Sequence, residues 1–230
     1  MPGESTDMRA MKKRLLAILR ADDFRRSMEE LVRLPARQAV NPLLSLLLSS
    51  EENVRWRAVT AMGALVENLA EQDMEGARVI MRRLMWSLND ESGGIGWGAP
   101  EVMGEIMARH EGLADEYAPM LVSYCNEEGN YLEYEPLQRG LMWGLLRLAR
   151  LRPYRLRDAV PHLRKYLDAN DPAIRGLAAW AIGLLGDQQS RPSLQSMVSD
   201  RTPIRLYLDG VIQDYSVGDL AAKGLASLGS

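Results

Sequence analysis

The sequence predicts an all-α fold, an α–α superhelix of stacked helix pairs with a small β-hairpin near its C-terminus. Three observations predict it. The 230 residues are 47% hydrophobic, with 13 Met but a single Phe, a composition that favours helix formers over the residues strands prefer. A two-helix pattern recurs along the chain at a nearly regular spacing. Asp209-Gly210, between two short runs of alternating apolar residues, is a preferred two-residue hairpin turn.

Taken in order, residues 1–34 read as N-terminal capping helices, with Met8, Met11, Leu15, Ile18 and Leu19 as their apolar stripe. Residues 35–200 hold the repeats. The first helix of each carries a proline two residues before a leucine, at Pro42/Leu44, Pro119/Leu121, Pro161/Leu163 and Pro192/Leu194. A polar break and a second helix follow. Glu51 to Leu65 aligns with Asp171 to Leu185, pairing Val54 with Ile174, Arg55 with Arg175, Ala58 with Ala178 and Gly63 with Gly183. A third copy, Ile95 to Ile106, pairs Trp97 with Trp56, Met103 with Met62 and Gly104 with Gly63, but has Gly96 where the arginine would stand. A fourth, Pro136 to Leu148, has the right composition and a register open by one or two positions. The copies lie about 40, then about 37 and about 30 residues apart, the range of two-helix solenoid repeats.

Neither helix of such a pair buries its apolar face alone, so stacking completes the core. Ala58, Ala61, Ala178 and Ala181 are expected where helices approach closely, and Val54, Leu65, Ile174 and Leu185 between layers. Arg55 and Arg175 are suited to bridging to an acidic loop of a neighbouring repeat. Residues 201–230 read as a C-terminal cap, with Ile204, Leu206 and Leu208 on one face of the hairpin. Ser216 and Asp219 form a capping box for a last helix ending near Leu228.

The Asp-Pro-x-Ile-Arg…Ala…Ala…Gly-Leu-Leu-Gly-Asp run from Asp171 to Asp187 resembles HEAT-like repeats of the phycobilisome-lyase type, and the other copies look like degenerate versions of it. The stretch from Asn89 to Gly98 is similar to one in uncharacterised bacterial HEAT-repeat proteins. The resemblance implies a right-handed superhelix with the second helices lining its concave side. It implies no chemistry.

Composition narrows the function. A net charge of -3 gives no global field toward nucleic acid or an anionic membrane. One cysteine, Cys125, leaves no internal disulfide to form and fits a reduced, cytoplasmic setting. The most apolar segment, Leu43 to Leu48, is far shorter than a membrane span. His110 and His162 stand apart without a zinc pattern, and the glutamates around Gly129 lack calcium-loop spacing. No cofactor is expected.

On a second helix whose buried stripe includes positions 54, 58, 61, 62 and 65, the opposite stripe runs through 56, 60, 63 and 67. It carries Trp56 in one copy, Trp97 and Glu101 in the next, Arg139 and Trp143 in another on one of its registers, and Trp180 in the last. Large rings on a groove make a binding platform; the competing reading packs them between helices. The glycine-rich run Ser92 to Gly98 reads as a bent repeat junction, and the arginines from Arg147 to Arg164 as a solvated loop between repeats.

The expected function is therefore a non-enzymatic scaffold holding a protein or peptide partner on its concave face. Two other classes stay open. Trp97, Glu101, Arg139 and Trp180 resemble the layout of HEAT-like DNA glycosylases acting on alkylated bases, although those enzymes carry aspartate where this chain has Glu101. The repeat type also suggests a tetrapyrrole-binding, lyase-like protein.

Overall fold

The computed structural model describes residues 2–88 and 96–229, with side chains from residue 7 onward. The chain has the all-α, repeat-solenoid fold class read from its sequence, with one two-stranded antiparallel sheet among the described residues. It divides into two compact units, Met1–His110 and Glu111–Ser230.

In the N-terminal unit, α1 (Pro2–Arg20) and α2 (Phe24–Leu31) precede two helix pairs. These are α3 (Ala36–Leu46) with α4 (Glu52–Gln72), and α5 (Met74–Leu88) with α6 (Ala99–Arg109). Leu15, Ile18 and Leu19 of α1 are buried and Met8 is exposed, so the apolar stripe covers only the C-terminal half of that helix. Pro42 lies inside α3, as the repeat pattern predicts. Ala58 and Ala61 are fully buried beside Val54 and Leu65 on α4.

Two expectations are corrected here. Arg57, not Arg55, ties α4 to the preceding segment: its Nη1 donates to the carbonyls of Leu19 and Ala21 at 2.8 and 2.9 Å. Its guanidinium also lies 4.8 Å from the centre of the Phe24 ring. Arg55 stays exposed. In the third copy, the helix begins only at Ala99. Gly98 takes the left-handed conformation at the N-cap (φ 78°) and Pro100 follows in the first turn, so residues 96–98, aligned with 55–57 of α4, are not helical. Ile95, with which that copy opens, lies outside the described residues, as do Ser92, Gly93 and Gly94 of the glycine-rich run.

In the C-terminal unit, α7 (Glu111–Ser123) pairs with α8 (Glu135–Leu151), and the short α9 (Val160–Leu163) precedes α10 (Pro172–Leu184). Then come α11 (Arg191–Met197), the strands β1 (Pro203–Leu208) and β2 (Val211–Ser216), and α12 (Val217–Leu228). Asp171 caps α10 by accepting from the backbone N–H of Ala173 and Ile174 at 2.8 and 3.0 Å. Arg175 does bridge between repeats, donating to the carbonyls of Ala169 and Asn170 and to Asp200. Leu185, expected between layers, is instead the partly exposed C-cap of α10.

Helix α12 packs along α10 in the most extensive helix–helix contact of the unit. It thus takes the place of a second helix whose first helix is α11, with the hairpin inserted between them. The hairpin turns as the sequence predicts: Asp209 (φ 53°) and Gly210 (φ 93°) both adopt the left-handed conformation of a two-residue turn, and Leu208 pairs with Val211. Ser216 and Asp219 form the expected capping box at the start of α12.

Candidate functional site

The helix caps settle the register left open for the fourth copy. Trp143 stands nine residues beyond the N-cap of α8 (Tyr134), as Trp180 does beyond Asp171 and Thr60 beyond Glu51. Aligning Gly104 with Gly63 brings Glu101 to the same place. One repeat position therefore carries Thr60, Glu101, Trp143 and Trp180, and the position one turn earlier carries Trp56, Trp97 and Arg139.

In the N-terminal unit this stripe runs along the seam between α4 and α6. Gly63 permits the approach, since a Cβ there would lie 2.4 Å from Cγ of Glu105 and 3.1 Å from Cδ of Arg109. Glu105 is 3% exposed, yet its charge is matched: Nε of Arg109 donates to its Oε1 at 2.6 Å, and Nη1 of Arg109 donates to Glu67 at 3.2 Å. In the same repeat register Thr60 corresponds to Glu101, and Trp56 to Trp97. Trp97 lies in the turn before α6 and is 41% exposed; Trp56 is partly exposed.

Glu101 differs from Glu105. The residue as a whole is partly exposed, but Oε2 is sealed from solvent and accepts no hydrogen bond. Burial pushes the carboxyl up to about 7, against the weaker opposing pull of its own backbone N–H and of the Arg55 charge. The folded chain therefore holds more protons at this site than the unfolded chain between about pH 4.5 and 7. The site's contribution to stability accordingly falls as pH rises through that window. Glu101→Gln is expected to leave stability unchanged near pH 4 and to raise it by about 1–3 kcal/mol at pH 8. Urea unfolding of both proteins at the two pH values checks this, and an equal difference at both would contradict it.

In the C-terminal unit the stripe has a different fate. Trp143, expected on the binding face, is 4% exposed. The hairpin folds over it, and Nε1 of Trp143 donates to the carbonyl oxygen of Tyr207 at 2.7 Å. Its ring is core, which corrects its assignment as a groove residue. Trp180, at the equivalent position of α10, remains partly exposed between two cations, with the Arg150 guanidinium 5.3 Å and Lys223 Nζ 5.1 Å from its ring centre. Arg150 is fixed in turn by two hydrogen bonds to Asp209, at 3.0 and 2.9 Å. That contact holds the Asp209 carboxyl below the usual carboxylate range, with help from the charges of Arg147 and Lys223. Arg139 is exposed but committed: its guanidinium donates to Asp171, with Nε at 3.0 Å from Oδ2.

The basic segment from Arg150 to Lys165 serves structure. Arg152 and Arg155 pair with Glu111, Arg155 also with Asp115, Arg164 with Asp187, and Lys165 with Glu127. One exposed ring escaped the repeat pattern. Trp86 on α5 is 73% exposed, but it sits on a first helix, outside the stripe that the repeats mark. No helix among the described residues is long and apolar enough to cross a membrane.

Comparison with known proteins agrees with this repeat architecture. Residues 174–200, spanning α10 and α11, match the sequence model of the PBS lyase HEAT-like repeat. An uncharacterized protein of Archaeoglobus fulgidus is 31% identical over 157 residues, which cover 64% of this chain and 75% of that protein. Among solved structures, an engineered protein superposes with a TM-score of 0.54 at 16% identity, covering 96% of each chain. A designed armadillo repeat protein in complex with the peptide (KR)4 superposes with a TM-score of 0.51 at 17% identity, covering 93% of this chain and 98% of that one. At such identities the two structures speak to the fold alone.

Proposed function

The chain belongs to the HEAT-like repeat proteins of the phycobilisome-lyase repeat type, and from that premise we propose that it is a non-enzymatic scaffold holding a protein or peptide partner on the stripe of its second helices. The observation that carries this reading is the exposed ring of Trp97, which stands at the same repeat position as the partly exposed Trp56. Rings supply contact area at little conformational cost. That a designed armadillo repeat protein of similar fold binds a peptide supports the proposal.

The glycosylase reading draws support from Glu101 as well, since a carboxylate can stabilise a developing positive charge. Its other members are otherwise engaged. Arg139 donates to Asp171, and Trp180 lies between Arg150 and Lys223. The net charge of -3 also works against holding a phosphate backbone. Excision of an alkylated base, abolished by Glu101→Gln, would reverse the choice.

The scaffold is tested by selecting peptides from a displayed random library on the immobilised full chain. Enriched sequences are expected whose binding falls about tenfold or more in Trp97→Ala, the loss typical of an aromatic anchor. A selection in which no peptide depends on Trp97 would end the proposal.

A further inference from the structure

The hairpin leaves the outer edge of β2 open. Its residues pair one to one with β1, and the two-residue turn makes Leu208–Val211, Leu206–Gln213 and Ile204–Tyr215 the pairs that exchange hydrogen bonds. Between them, the backbone groups of each strand point away from the other strand. On β1, the Tyr207 carbonyl that does so is taken by Trp143. On β2 they are the N–H and C=O groups of Ile212 and Asp214, and among the described residues no hydrogen bond reaches them. Asp214 is exposed and Ile212 partly so.

We propose that this edge pairs with the same edge of a second copy of the chain, antiparallel about a two-fold axis, so that two hairpins form one four-stranded sheet. Main-chain donors and acceptors alternating along an extended strand call for another strand. The sequence of β2 fixes the register. Setting Ile212 opposite Asp214 of the second copy satisfies all four groups on each chain with four hydrogen bonds, and places Gln213 opposite its own copy at the axis. Sliding the pair two residues toward Ser216 would oppose Asp214 to its own copy, like charge to like charge. It would also call on the Ser216 N–H, which already donates to Asp219 at 2.8 Å. In the first register Val211, 49% exposed, comes opposite the partly exposed Tyr215, an aromatic and β-branched pair that favours strand association. Nor is the edge blunted as natural edges are. β2 has no proline, lysine or bulge, and its one charge, Asp214, is matched by Arg205 at 3.6 Å. A foreign strand would meet the same backbone groups, but the second copy supplies the Val211–Tyr215 contact twice, once on each side of the axis.

Sedimentation of the full chain from about 10 µM to about 1 mM, the range in which so small a contact associates, tests the assignment. A reversible monomer–dimer equilibrium is expected. Asp214→Pro removes an outward N–H from each chain, and with it two of the four bonds, while the bonds within the hairpin stay; dimerisation should weaken about tenfold or more. Asp214→Asn keeps that N–H and should dimerise at least as well as the wild type. Gln213→Lys sets like charges against each other at the axis and should leave the chain monomeric, as should Gln213→Glu. Mixing these two variants should restore the dimer, which no failure to fold could do. A chain monomeric throughout, a dimer indifferent to Asp214→Pro, or charge variants that stay monomeric on mixing would each overturn the assignment. A monomer whose binding to a library peptide is lost in Asp214→Pro would give the edge to a foreign strand and end the second-copy assignment equally.

Discussion

Replacing Gly183 with valine is expected to destabilise the C-terminal unit by about 3 kcal/mol or more. A Cβ at this position would lie 2.2 Å from the carbonyl oxygen of Gly224, 2.4 Å from its Cα and 2.5 Å from its carbonyl carbon. All three atoms are backbone, so no side-chain rotation relieves the clash, and α10 and α12 must separate. The contact is reciprocal, because a Cβ on Gly224 would lie 2.5 Å from the carbonyl oxygen of Ala179. The two glycines let the last helix seat against the array. Gly63, at the same repeat position, provides the comparison. Its neighbours are the side chains of Glu105 and Arg109, which can shift, so Gly63→Ala is expected to cost only about 1–2 kcal/mol. Denaturant unfolding of both variants checks the order, and a wild-type midpoint for Gly183→Val would contradict the close crossing.

The second large effect is expected at Trp143. Trp143→Ala should cost about 3–5 kcal/mol, because it removes a buried ring and opens a cavity beneath the hairpin. Trp143→Phe keeps most of the volume but loses the 2.7 Å bond from Nε1 to Tyr207, which should cost about 1–3 kcal/mol. Unfolding midpoints, together with faster amide exchange in residues 203–216, provide the measurement. Were Trp143 a ligand platform, the alanine variant would instead lose binding at unchanged stability.

That residue also shows where sequence reasoning stops. The repeat pattern placed Trp143 correctly on its helix, at the position of Trp180, but it could not show that a hairpin 64 residues further on would cover the ring. Burial on a stripe is decided by what docks there, and long-range docking leaves no local periodicity. The same holds for Glu101. Its place on the stripe was legible; the sealed Oε2 was not, because burial of a single atom depends on what packs around it in three dimensions. The late start of α6 was partly legible, in the glycines and Pro100, yet alignment of Trp97 with Trp56 carried the helix too far toward the N-terminus. What read most directly was what repeats: the alanines at the close approaches, the prolines of the first helices, and the glycine shared by positions 63 and 183. The Asp209-Gly210 turn and the Ser216–Asp219 box were equally plain, since each depends only on neighbours in sequence.

Arg55 and Arg175 illustrate a related limit. Identical residues at one repeat position meet different surroundings. Arg175 finds carbonyls and Asp200 and becomes a bridge. Arg55 finds none of these and remains an exposed charge near Glu101, while Arg57 takes over the anchoring of α4.

Amide hydrogen exchange of the full chain, with and without a peptide taken from the library selection, tests the binding surface most directly. Slowed exchange is expected in residues 52–60 of α4 and in 96–105, which carry Trp56, Trp97 and Glu101, with little change in α3 or along 74–84 of α5. Protection confined to those first helices, with none at 52–60 or 96–105, would mean that the partner sits on the other face and that the second-helix stripe is not the site.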